Sequence, residues 1–77
     1  MKTEEFNFKE KDLISLEYVV HPSNKIINAH KVEIINIQKT YMRPTNEPYY
    51  NFTTISKNGK VQYWDSLNTI KIKKETK

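Results

Sequence analysis

Apolar and polar positions alternate along much of this chain, and the alternation falls into short runs. From Leu13 onward, Ile14, Leu16, Tyr18 and Val20 recur at every second position between Ser15, Glu17 and Val19. A period of two places one apolar row against a core, so this stretch predicts a strand. His21-Pro22-Ser23-Asn24 ends it, because proline donates nothing to a ladder and serine and asparagine favour turns. Residues 25–30 read as either a short helical turn or a return strand. Residues 31–38 are β-branched and alternating, but the phase changes at Ile34-Ile35: Val32 and Ile34 keep one register, Ile35 and Ile37 the other. A β-bulge or sharp bend reconciles the two rows.

Residues 40–48 hold two prolines and several turn formers, and predict an exposed loop that carries Tyr41, Met42 and the single arginine, Arg43. Residues 49–56 and 60–64 are β-rich and flank Lys57-Asn58-Gly59-Lys60. Asn-Gly between two such runs predicts a hairpin, with a type I′ turn placing positive φ at both central residues. Asp65-Ser66-Leu67 interrupts, and residues 68–73 resume alternation with Ile70 and Ile72 opposite Lys71 and Lys73. The opening is ambiguous. Phe6 and Phe8 have strand spacing, whereas Phe6 and Leu13 have helix spacing.

The fold expected is mainly β: a small antiparallel five-stranded barrel, with or without a short N-terminal helix. Residues 1–12 form an acidic flexible arm or short helix, residues 13–73 a single barrel domain, and residues 74–77 a basic tail.

The stretch 49–72, YYNFTTISKNGKVQYWDSLNTIKI, resembles the closing strands of SH3-like small barrels, where a hairpin is followed by one 3₁₀ turn and a short last strand. Asp65-Ser66-Leu67 would be that turn. Small barrels of this kind are common in phages and mobile elements, and the resemblance implies the fold. Sm-like RNA-binding barrels share the closing arrangement, but this chain lacks their glycine-containing bent strand and their RNA-contacting motif, so no functional residue carries over.

Composition narrows the chemistry. The chain has 77 residues, no cysteine, one glycine and 36% hydrophobic residues, with a formal charge of +4. No disulfide framework, zinc ribbon or glycine-rich phosphate loop can be built from it. A core this small leaves stability modest or shared with a partner. No apolar run reaches signal-peptide or membrane-span length, so a cytoplasmic protein without membrane contact is expected. His21 and His30 are the only imidazoles, and they read as ordinary loop residues. No catalytic set, metal site or cofactor is expected, and the chain reads as a non-enzyme.

Charge favours binding. Residues 1–17 carry five acidic against three basic side chains, a net of −2, and the rest carries +6, giving the total of +4. Two partners fit. A host protein, bound and modulated as phage-type proteins do, would meet the interface-prone cluster Tyr41, Met42, Arg43, Tyr49 and Tyr50. Alternatively, single-stranded RNA or DNA would meet a basic, aromatic β-surface made of Lys57, Lys60, Tyr63, Trp64, Lys71 and Lys73. Alternation requires one of Tyr63 and Trp64, and one of Tyr49 and Tyr50, to point inward. Open sheet edges also allow a homodimer.

Overall fold

A computed structural model describes residues 6–76. It contains five strands, β1 (Leu13–Val20), β2 (Lys25–Met42), β3 (Glu47–Ile55), β4 (Val61–Asp65) and β5 (Thr69–Lys74). All pair antiparallel in one sheet of order β4-β3-β2-β1-β5. Residues 25–30 are the first part of β2, so the return strand prevails over the helical turn.

At 18 residues β2 is far longer than an ordinary strand, and two irregularities bend it. The first lies opposite Ser15: Ile14 pairs with Val32 but Leu16 with Ala29, so His30 and Lys31 together face one residue of β1. Lys31 takes φ +52° there, and the Ser15 hydroxyl accepts its backbone N–H at 3.0 Å. The second lies between Ile34 and Asn36, where Ile35 is left out of the β3 ladder. This is the bend that the phase change at Ile34-Ile35 predicts. It keeps Val32 and Ile34 buried, lets Ile37 pack half-buried against them, and turns Ile35 outward.

The core consists of Ile14, Leu16, Ala29, Val32, Ile34, Phe52 and Trp64. Within it the Trp64 indole N–H donates to Thr54 Oγ1 at 2.8 Å, which removes the penalty of an unpaired donor.

The β3–β4 hairpin forms where expected but with a different turn. Gly59 alone has positive φ, +84°, while Asn58 does not. Gly59 N–H donates to the Ser56 carbonyl at 2.9 Å and Ser56 N–H to the Lys60 carbonyl at 2.9 Å. Lys57 and Asn58 are therefore the turn centre, and Gly59 sits in the left-handed bulge position of a three-residue hairpin loop rather than inside a type I′ turn.

β4 and β5 are opposite edges of the sheet, yet only residues 66–68 join them. In a flat sheet four strand spacings would separate the edges by about 19 Å, whereas the link from Asp65 to Thr69 reaches at most about 14 Å. The sheet must curl. Accordingly Tyr18 on β1 donates its hydroxyl to Asp65 Oδ2 on β4 at 2.9 Å, and its ring lies 5.0 Å from Trp64. No ladder joins β4 to β5 among the described residues, so this is a curled open sheet. The link is a plain turn rather than the expected 3₁₀ turn. Asp65 holds it, accepting Asn68 N–H at 2.9 Å on its side chain and the Thr69 hydroxyl at 2.7 Å on its carbonyl.

No helix is present among the described residues, which corrects the expectation of a short N-terminal helix over the described part of residues 1–12; Met1–Glu5 lie outside it. Residues 6–12 instead pack on the sheet. Lys11 N–H donates to the Ile34 carbonyl at 2.7 Å, and Ile34 N–H to the Asp12 carbonyl at 2.9 Å. Phe6 stacks on Tyr50 with ring centroids 4.8 Å apart, lies 5.3 Å from Phe52 and meets Phe8 edge-on at 5.4 Å. The aromatic spacing that looked ambiguous belongs to an irregular segment packed against the core, which ends in a turn closed by Asp12 N–H on the Lys9 carbonyl at 3.1 Å. At the other end, Glu75 N–H donates to the Leu13 carbonyl at 2.7 Å, and Lys74 pairs with Asp12 at 3.6 Å, so the start of the basic tail belongs to the sheet. No helix is long and apolar enough to cross a membrane among the described residues.

Candidate binding surfaces

The β2–β3 hairpin outgrows its neighbours. β4 pairs with β3 over Asn51 to Ile55, and β1 pairs with β2 only as far as Glu33. Beyond them the pairs Lys39↔Tyr50, Thr40↔Tyr49, Tyr41↔Pro48 and Met42↔Glu47 form a two-stranded ribbon with no third strand beside it among the described residues. The region expected as a loop is therefore mostly strand, with the turn confined to residues 43–46. There Asn46 takes φ +58° and its N–H donates to the Met42 carbonyl at 2.6 Å.

The ribbon and its turn carry all five residues expected to meet a protein. Tyr41 is 56% exposed with Lys39 Nζ 5.9 Å from its ring centroid, Arg43 is exposed in the turn, and Met42 and Tyr49 are half-buried. Tyr50 does something else. Its ring lies on Phe6, its N–H donates to Ser66 Oγ at 3.0 Å, and its carbonyl accepts Ser66 N–H at 2.8 Å. It clamps the root of the ribbon to the body.

The residues expected to meet nucleic acid are dispersed. Lys57 and Lys60 are exposed on the β3–β4 hairpin, and Tyr63, 79% exposed, stands on the outer face of β4. Trp64 is only 5% exposed and points into the core. It cannot stack on a base, and its assignment to a binding surface is corrected: of the Tyr63 and Trp64 pair, Trp64 is the inward one. Lys71 and Lys73 lie on β5, the opposite edge strand, paired with Glu17 and Ser15 of β1. They border an open groove of about 780 Å³ together with Asn28, His30, Phe8 and Ile70.

The structure also assembles a cluster with no local signal in the sequence. Ser15 Oγ lies 3.1 Å from His30 Nδ1, and Glu75 Oε2 lies 3.7 Å from Lys73 Nζ. The Glu75 carboxyl is held below its ordinary value chiefly by hydrogen bonding from Ser15, with burial opposing and Lys73, His30 and Lys31 reinforcing. A nucleophilic serine needs the carboxylate to orient the imidazole from its far nitrogen and needs nearby oxyanion donors. Here the Ser15 hydroxyl already receives the bulge amide of Lys31, and Glu75 Oε2 is buried without a hydrogen-bond partner among the described residues. The cluster fastens β5 to the bulge in β2. His21 stays in the β1–β2 turn, away from His30. No group of three or more histidine, aspartate or glutamate side chains is placed to hold a metal among the described residues. Compared with protein-family models, curated proteins and solved structures, the chain matches none of them.

Proposed function

We propose that this chain is a non-enzymatic, cytoplasmic binding protein that engages a protein partner through the free β2–β3 ribbon. The observation that carries this reading is the ribbon itself. A two-stranded hairpin without a third strand gains little stability of its own, yet this one displays Tyr41 and Arg43 in solvent, the residue types that dominate interface hot spots. Its root is fixed through Tyr50, Phe6 and Ser66, so the displayed residues are held in place before a partner arrives. The strand order, with both edge strands consecutive in the chain, is compatible with an SH3-like small barrel, and that resemblance extends the proposal to a phage-type protein acting on a host protein.

Replacing Tyr41 and Arg43 together by alanine tests it. Hot-spot truncations cost about 2 kcal/mol or more each, so the affinity that captures the partner from a bacterial lysate should fall by roughly 700-fold, at about 1.4 kcal/mol per decade, with the melting temperature unchanged. Undiminished capture by the double variant removes the ribbon from the account.

A further inference from the structure

Alternation sorts β2, β3 and β4 onto two faces. Ile37, Phe52 and Trp64 form one cross-strand row, which lies buried or half-buried. The rows on either side point away from the core: Asn36 with Thr53 and Tyr63, then Gln38 with Asn51 and Asp65. Asn36, Gln38, Asn51, Thr53 and Tyr63 border a shallow depression of about 290 Å³, near the lower limit for a small-molecule site and of a size for one planar ring system.

Three properties of this face point to one ligand chemistry. Tyr63 is 79% exposed, the highest value among the large hydrophobic side chains of the described residues, so its ring is open for stacking. Asn36, Gln38 and Asn51 are exposed as well, and each amide offers two donors beside an acceptor. Asparagine is disfavoured in strands, yet Asn36 and Asn51 stand on adjacent strands beside a glutamine on this face. Finally, Lys57 and Lys60 stand on the turn that joins β3 to β4. Two acidic side chains flank the face: Asp65, engaged by Tyr18 and Asn68, and Glu33, which stands opposite Ile55 in the neighbouring row.

We infer that the outer face of β2–β3–β4 binds an unpaired adenine of a single-stranded nucleic acid, stacked on Tyr63 and read at its edge by Gln38, Asn51 and Asn36. Asparagine and glutamine amides match the adjacent donor and acceptor of adenine, and single strands are recognised by stacking plus hydrogen bonds to base edges. Lys57 and Lys60 hold the flanking phosphates. This site is separate from the ribbon and stands or falls without it. A second copy of the chain is the poorer occupant, because self-association through this face would bury exposed amides against one another in place of the apolar centre that homodimers prefer.

Fluorescence anisotropy with labelled dA12 and dC12 at about 50 mM salt decides the matter. The full chain should bind dA12 more tightly than dC12. Tyr63→Ala should weaken dA12 binding about 5- to 150-fold, the range for loss of one stacked base. Gln38→Ala with Asn51→Ala should narrow the gap between the two oligonucleotides. Lys57→Ala with Lys60→Ala should weaken both alike and lower the salt dependence by about 1.4 in log-log slope, at about 0.7 per phosphate contact on a single strand. All these positions are exposed, and unchanged Trp64 fluorescence confirms the fold of each variant. No binding at about 50 mM salt, equal affinity for dA12 and dC12, or binding indifferent to Tyr63→Ala overturns the inference. So does a sedimentation result in which Tyr63→Ala merely dissociates a dimer.

Discussion

Replacing Phe6 by alanine should destabilise the whole domain, although Phe6 precedes the first strand. Its ring stacks on Tyr50 at 4.8 Å, lies 5.3 Å from Phe52 and meets Phe8 at 5.4 Å. Truncating a fully buried phenylalanine costs about 3–5 kcal/mol. Phe6 is half-buried, so about half of that applies, and the lost aromatic contacts fall within the same sum at about 0.5–1.5 kcal/mol per pair. The expected loss is about 1.5–2.5 kcal/mol. A domain of this size shifts by about 4–8 °C per kcal/mol, so the melting temperature should fall by about 6–20 °C. Urea unfolding followed by Trp64 fluorescence measures the loss directly, with the midpoint falling and the slope unchanged. Phe6→Leu, which keeps bulk and loses stacking, should recover more than half. If Phe6→Ala shifts stability by less than about 0.5 kcal/mol, the segment before β1 is not part of the core and the clamp on Tyr50 fails with it.

Two further outcomes follow from geometry described above. Gly59→Ala meets no atom within 4 Å but must hold φ +84°, so backbone strain alone should cost about 1 kcal/mol in urea unfolding. Asn58→Ala should cost under about 0.5 kcal/mol, and equal losses at the two positions would restore the type I′ turn. Burial, and then the hydrogen bond and negative charge of Asp65, hold the Tyr18 phenol above 10.0. The unfolded chain therefore loses this proton first, and its share of stability, complete below about pH 10, is lost as pH rises through the folded value. Tyr18→Phe should flatten that alkaline decline in a pH series of urea midpoints; an unchanged decline would refute the assignment.

Local patterns were legible in the sequence and long-range ones were not. Alternation located β1, the phase change located the bulge at Ile35, and the Asn-Gly pair located the hairpin, because each depends on neighbours in the chain. The bulge opposite Ser15 left no trace, since it shows only when Ser15 meets Lys31 across the sheet. Alternation required one of Tyr63 and Trp64 to turn inward; choosing between them needed the register that places Trp64 beside Phe52. Tyr49 and Tyr50 are both half-buried, so that pair did not divide into one inside and one outside. Tyr41 and Arg43 were picked out by residue type within a segment of turn formers, and the structure leaves both exposed. The amide row of Asn36, Gln38 and Asn51 was overlooked because polar residues at alternating positions look like an ordinary solvent face. Their signal was compositional: asparagine where β-branched residues belong.

The pairing of β5 with β1 sets the order in which the chain can fold. β1 precedes the other strands but keeps one side unpaired until β5 emerges, after the turn at Asp65 has led the chain from the β4 edge across to β1. Until then the row of backbone donors and acceptors on β1 is open to any other strand. Contacts that span so much of the chain predict folding in milliseconds to seconds rather than microseconds. The interval between synthesis of β1 and arrival of β5 is thus when this protein is most prone to aggregate, and Asp65 is the residue whose loss would lengthen it.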